Sequence, residues 1–134
     1  MSQSVDHLEI ARNFLAALER GAIGEELAAF FTADVLQVEL PNRLLPTGKT
    51  SNLREILAAA ERGRGVVTNQ RYKLWAAMVD GDRVALEVEW TGTVNMALGK
   101  LSPGDTMRAH YALFLTFRDG KIAGMRNYDC FEPF

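Results

Sequence analysis

The sequence predicts an α+β fold, a long sheet curled around three N-terminal helices. Apolar residues recur at helical spacing through the first third of the chain. From Val66 onward the pattern is strand, turn, strand almost to the end. The two kinds of segment are segregated rather than alternating, which excludes a doubly wound parallel sheet. A sheet this long relative to its helices must curl, and the space it encloses is a natural ligand cavity.

Val5, Leu8, Ala11, Leu15 and Leu18, with Phe14 beside them, mark the first helix. Ser4 can cap it, Asp6 suits its positive end, and Gly21 ends it. Leu27, Phe30 and Phe31 predict a shorter second helix from about Gly24, and Val35 to Leu40 alternates as a strand. Pro41 and Pro46 bracket a loop. Thr50 or Ser51 can cap a third helix with Leu53, Ile56, Leu57 and Ala60 on one face, closed by Gly63 and Gly65. Asp80-Gly81 and Asp119-Gly120 are hairpin signals, and residues 99–105 form a longer turn.

At 134 residues the chain is the size of one domain, residues 1–134, with no repeat, low-complexity stretch or linker. Its hydrophobic fraction of 48% and charged fraction of 24% are those of a globular protein. A net charge of −2 with interspersed signs argues against a nucleic-acid or polybasic membrane partner. One cysteine, Cys130, rules out an intrachain disulfide, and with two histidines it leaves too few soft ligands for structural zinc. No apolar run approaches a membrane span, and the first residues lack the regions of a signal peptide, so a cytoplasmic location is expected.

Hairpin register separates the candidate site residues. If residues 79–81 form a three-residue loop, Tyr72, Leu74, Ala76 and Met78 share a face with Leu86, Val88 and Trp90. Lys73 then opposes Glu87 and Arg71 opposes Glu89, so these glutamates are surface ion pairs rather than a catalytic couple. The second hairpin has two registers. A two-residue Asp-Gly turn pairs Phe117 with Ile122 and sets His110 opposite Asp129; a three-residue loop pairs Tyr111 with Asn127 and sets His110 opposite Tyr128. The first is preferred because it unites Phe117 with Ile122. His110 and Asp129 would then form an acid/base dyad in an apolar pocket. Asn127, or Tyr111 in the other register, would bind a substrate carbonyl, and Trp90, Tyr72 and Phe14 would shape the wall. Gly48-Lys49-Thr50 is not a phosphate-binding loop, because Arg43 stands where the leading glycine is needed. Cys130 reads as a small packing residue rather than a nucleophile.

The order helix, Phe30-Phe-Thr-Ala-Asp-Val35, capped helix, Asp80-Gly-Asp-Arg-Val-Ala85 and Phe117-Arg-Asp-Gly-Lys-Ile122 resembles the nuclear transport factor 2-like superfamily. Within it, the chain is most similar to the SnoaL-like polyketide cyclase branch. The resemblance implies a cone-shaped, curled antiparallel or mixed sheet wrapped around the three helices, and a homodimer formed through that sheet. It also implies cyclase, isomerase or lyase chemistry on a hydrophobic small molecule, without metal or organic cofactor. The late-strand Asp of the cyclases matches Asp129, and the histidine found near it in some matches His110. Many relatives end in an acid, Tyr, an aromatic and Asp; here Asn127 holds the first acidic position and Asp129 follows Tyr128 directly. A non-catalytic binding protein, or a subunit that docks another chain through its sheet or its tail at residues 131–134, is the alternative on the same fold.

Overall fold

The computed structural model describes residues 6–134. Helix α1 spans His7–Glu19, α2 Gly24–Ala28 and α3 Leu53–Gly63. The strands are β1 (Phe31–Glu39), β2 (Lys49–Ser51), β3 (Val67–Asp80), β4 (Arg83–Val94), β5 (Thr106–Arg118) and β6 (Lys121–Phe131). They form one six-stranded sheet in the order β2-β1-β6-β5-β4-β3. Only the β1–β6 pair is parallel. This is the α+β fold expected from the sequence.

Ser4 and Val5 lie outside the described residues. The observed cap of α1 is Asp6, whose carboxylate accepts the Glu9 N–H at 3.0 Å. Helix α3 is capped by Asn52 rather than Thr50 or Ser51, which belong to β2. Asn52 and Glu55 accept each other's backbone N–H groups, a complete capping box. Phe31 starts β1 instead of ending α2. Its ring meets Phe14 of α1 edge-on at 5.5 Å, so tertiary packing overrides its helical spacing.

Both long hairpins carry a bulge, and the bulges determine the faces. The first has a two-residue loop, Gly81-Asp82, because Asp80 pairs with Arg83 and Gly81 adopts φ 60°. Left uninterrupted, this register would turn Trp75, Lys73 and Arg71 inward. The ladder shifts between Leu74 and Ala76, leaving Trp75 unpaired. Leu74 then meets Val88 and Tyr72 meets Trp90, so Tyr72, Leu74, Leu86, Val88 and Trp90 still share a face although the expected three-residue loop at 79–81 does not form. The expected cross-strand pairs change with the loop. Ala76 opposes Glu87, Lys73 opposes Glu89, Arg71 opposes Thr91, and Met78 lies 73% exposed. Glu89 finds its ion-pair partner in Arg108 on β5.

The second hairpin begins in the preferred register, with Phe117 opposite Ile122 and a two-residue turn. Asp119 and Gly120 take up φ 53° and 76° there. Ala123 then goes unpaired, and Thr116 meets Gly124. Beyond that bulge Leu115 opposes Met125, Leu113 opposes Asn127, and Tyr111 opposes Asp129.

The main core lies between the helices and the closed end of the sheet, built on Phe14, Leu27, Val35, Leu115 and Ile122. Each such fully buried side chain stabilises the fold by about 1.5–3 kcal/mol. A second cluster of Trp90, Val94, Met107, Ala109 and Phe134 fills the other end. Gly92 is required there: a Cβ would fall 2.5 Å from Val67 Cγ1 and 2.8 Å from the Trp90 ring. Phe134 is buried, with the Arg43 guanidinium 4.3 Å above its ring, so the last residue packs against its own fold.

Candidate active site

A cavity of about 200 Å³ opens between the helices and the concave face of the sheet. Helices α1, α2 and α3 supply apolar wall through Phe14, Leu18, Leu27 and Ile56. Strand β1 adds Phe31, Gln37 and Glu39, β3 adds Tyr72, and β5 adds Tyr111 and Leu113. Strand β6 contributes Met125, Asn127 and Asp129, at alternate positions that the Ala123 bulge turns inward. Polar groups thus gather at one end of an otherwise apolar space.

Asp129 is the centre of that end. Its Oδ1 is buried and has no hydrogen-bond partner among the described residues. Burial pushes its carboxyl up to about 6, and the neighbouring Glu39 charge adds to the shift. Burial also raises Glu39, and Lys49, its cross-strand partner on β2, partly offsets this without forming an ion pair. Tyr111 and Tyr72 are both pushed upward, first by burial. Asp129 adds to both shifts, so the four groups share one electrostatic environment. Gln37 Nε2 donates to Asn127 Oδ1 at 3.2 Å, which commits that oxygen and leaves the Asn127 amide N–H groups for a ligand.

Of the residues expected in the site, the structure brings together Asp129, Asn127, Tyr111, Tyr72 and Phe14. Trp90 stands behind them. Its ring stacks on Tyr111 at 5.9 Å, and its Nε1 donates to Gln70 Oε1 at 2.9 Å. The same Gln70 oxygen accepts from the Tyr72 hydroxyl at 3.3 Å, so Trp90 and Gln70 fix the two tyrosines.

His110 is not part of the cavity. It opposes Cys130 on the outer face, its side chain is 51% exposed, and its Nε2 lies 3.0 Å from Glu132 Oε2. The bulge at Ala123 is the physical reason. It moves Asp129 one position along β5 and through the sheet to the Tyr111 side, so the expected dyad does not form.

Glu39 and Gln37 are the residues that sequence reasoning missed. In β1 the apolar Leu36 and Val38 alternate with the polar Gln37 and Glu39, and burial preference alone sends the apolar pair inward. The structure has the reverse, with Leu36 52% exposed on the convex face. The available signal was Val35, which is fully buried and fixes the parity of Gln37 and Glu39 behind it.

Residues 11–125 match the SnoaL-like domain. The chain belongs to the SnoaL-like family. A search among curated proteins finds no match. Solved structures agree on the fold. AclR, a proposed hydroxylase from Streptomyces galilaeus, superposes with a TM-score of 0.78 at 18% identity, covering 96% of this chain and 81% of that one. IdmH, a proposed polyketide cyclase from Streptomyces antibioticus, gives 0.77 at 16% identity over 92% and 91%. A nuclear transport factor 2-like protein from Burkholderia xenovorans gives 0.72 at 20% identity over 96% and 92%. Among the described residues of this SnoaL-like chain, no helix is long and apolar enough to cross a membrane.

Proposed function

We propose that this SnoaL-like protein is an acid/base catalyst of the cyclase, isomerase or lyase type, working without a cofactor on an apolar carbonyl compound. The observation that carries this reading is the Asp129 carboxyl in the cavity, its Oδ1 buried without a partner and its pKa held near 6. A proton carrier is most effective when its pKa lies near the working pH, because it then both takes and returns a proton. In the proposed step the Asp129 carboxylate removes a proton from the carbon beside the carbonyl and delivers it to its new position. The amide N–H of Asn127 and the hydroxyl of Tyr111 donate to the carbonyl oxygen as negative charge develops on it. Phe14 and Tyr72 hold the apolar body of the substrate, which supplies orientation.

The test is proton–deuterium exchange at the carbon beside the carbonyl across a panel of small apolar ketones. Asp129→Asn is expected to slow exchange by about 10²–10⁴-fold while leaving ligand affinity within a few-fold. An unchanged rate removes Asp129 from the mechanism.

We further propose that the convex face of the sheet receives a second copy of the chain. A groove of about 480 Å³ there is lined by Leu36, Val38, Met78, Phe114 and Tyr128, an apolar exposure unusual for a face left in water. Phe114→Glu is expected to convert a dimer to a monomer in sedimentation equilibrium. A wild-type chain that sediments as a monomer at all concentrations defeats the assignment.

A further inference from the structure

The acid/base reading leaves a charge problem. No Lys, Arg or His lines the cavity, yet two carboxylates do, Asp129 and Glu39. Lys49, opposite Glu39 in the β1–β2 ladder, offsets only part of that charge and forms no ion pair with it, and Glu19 adds a further negative charge nearby, where its Oε1 accepts the Tyr72 backbone N–H at 2.7 Å. In a partly dry space these charges repel each other, and an oxygen that gains negative charge in the reaction adds a third. Protonating both carboxyls would relieve the repulsion but would still leave Asp129 Oδ1 without a partner. The wall is also rich in rings. Tyr72 and Tyr111 lie with centroids 6.4 Å apart, and Phe14 meets Phe31 at 5.5 Å. Carboxylates beside aromatic rings are the chemistry that recognises an organic cation, by charge and by attraction to the π faces within about 6 Å.

We propose that the carbonyl ligand of this cavity also carries a protonated amine, held by Glu39 and by Oδ1 of Asp129 among the rings of Tyr72, Tyr111 and Phe14, with the other Asp129 oxygen left for proton transfer. The proposal rests on the cavity being the ligand site and adds the class of molecule that enters it. The ammonium N–H groups satisfy the orphaned Asp129 oxygen, and the positive charge offsets the negative charge of the wall. Size sets a further limit. A cavity of about 150 Å³ is large enough for benzene, so about 200 Å³ takes one ring with a short aminoalkyl arm.

Three probes of matched shape test this by calorimetry at pH 7.5: 2-phenylethylamine, 2-phenylethanol and phenylacetate. The amine is expected to bind at least tenfold more tightly than the alcohol, and phenylacetate to bind most weakly. Glu39→Gln, with its unfolding midpoint measured to confirm that it is folded, is expected to reduce the preference for the amine to below threefold. An alcohol that binds as well as the amine, a best-binding phenylacetate, or no binding of any probe at millimolar concentration overturns the proposal. So does a tenfold preference that survives Glu39→Gln. None of these results touches the proton-transfer reading, which is judged by exchange at carbon in Asp129→Asn.

Discussion

The concave face of the sheet obeys the usual rule at one end and reverses it at the other. Near the hairpin turns, Leu115, Phe117 and Ile122 are buried on the concave side, while Arg118 and Lys121 reach water. Towards the far ends of β1 and β6 the concave side holds Gln37, Glu39, Asn127 and Asp129, while the convex side shows Leu36 and Tyr128 there and Phe114 and Met78 nearer the turns. One end of the sheet is built for stability. The other gives up apolar burial to place carboxylates and amides in a cavity, and strands its apolar residues on the outside. A polar inner face combined with a greasy outer face is what a site and an interface sharing one strand would produce.

The contrast can be broken most forcefully at the closed end. Leu115→Ala should destabilise the fold by about 2–5 kcal/mol in urea unfolding, because the cavity left behind cannot collapse. The same truncation at its neighbour Phe114, on the other face, should stay within about 0.5 kcal/mol at concentrations where the chain is monomeric. Equal losses at the two positions would mean that the faces are not distinct in energy.

A smaller effect, of opposite sign, is expected at the cavity end. The folded-state pKa of Asp129, about 6, lies above its ordinary 3.8. The native state therefore holds this proton more tightly than the unfolded chain. Stability falls as pH rises from about 4 to 6, and the deficit persists above that range. Asp129→Asn removes it, and should stabilise the protein by about 1–2 kcal/mol at pH 7.5 after discounting for the partial exposure of the group. At pH 4 the gain should vanish. A variant that gains equally at both values would point to packing rather than charge.

Most of the architecture was legible because it follows from pattern. Helical spacing at Leu8, Ala11 and Leu15, the Asp119-Gly120 turn and the union of Phe117 with Ile122 each reflect a local rule that the structure keeps. Asp129, Asn127, Tyr72 and Phe14 were legible as site residues, and Tyr111 only through the register that was not preferred. What sequence could not supply was parity. A bulge adds one residue without any change in composition, so nothing in Ile122-Ala-Gly-Met125 announces that Asp129 ends up opposite Tyr111 and His110 outside. Glu39 was hidden for a related reason. Its strand has its apolar side turned away from the protein's own core, against what burial preference alone would select.

The unpaired Ala123 also has a consequence for how this chain is compared with others. It acts as a parity bit for everything after it in β6. Placed residue for residue beside a relative whose last strand runs without a bulge, Asp129 would be matched to a position that points the other way, and Tyr128 or Cys130 would inherit a role that their side chains cannot reach. Site residues in this strand should therefore be paired by where they point in space, with a gap allowed at Ala123, before any loss or gain of a catalytic acid is inferred.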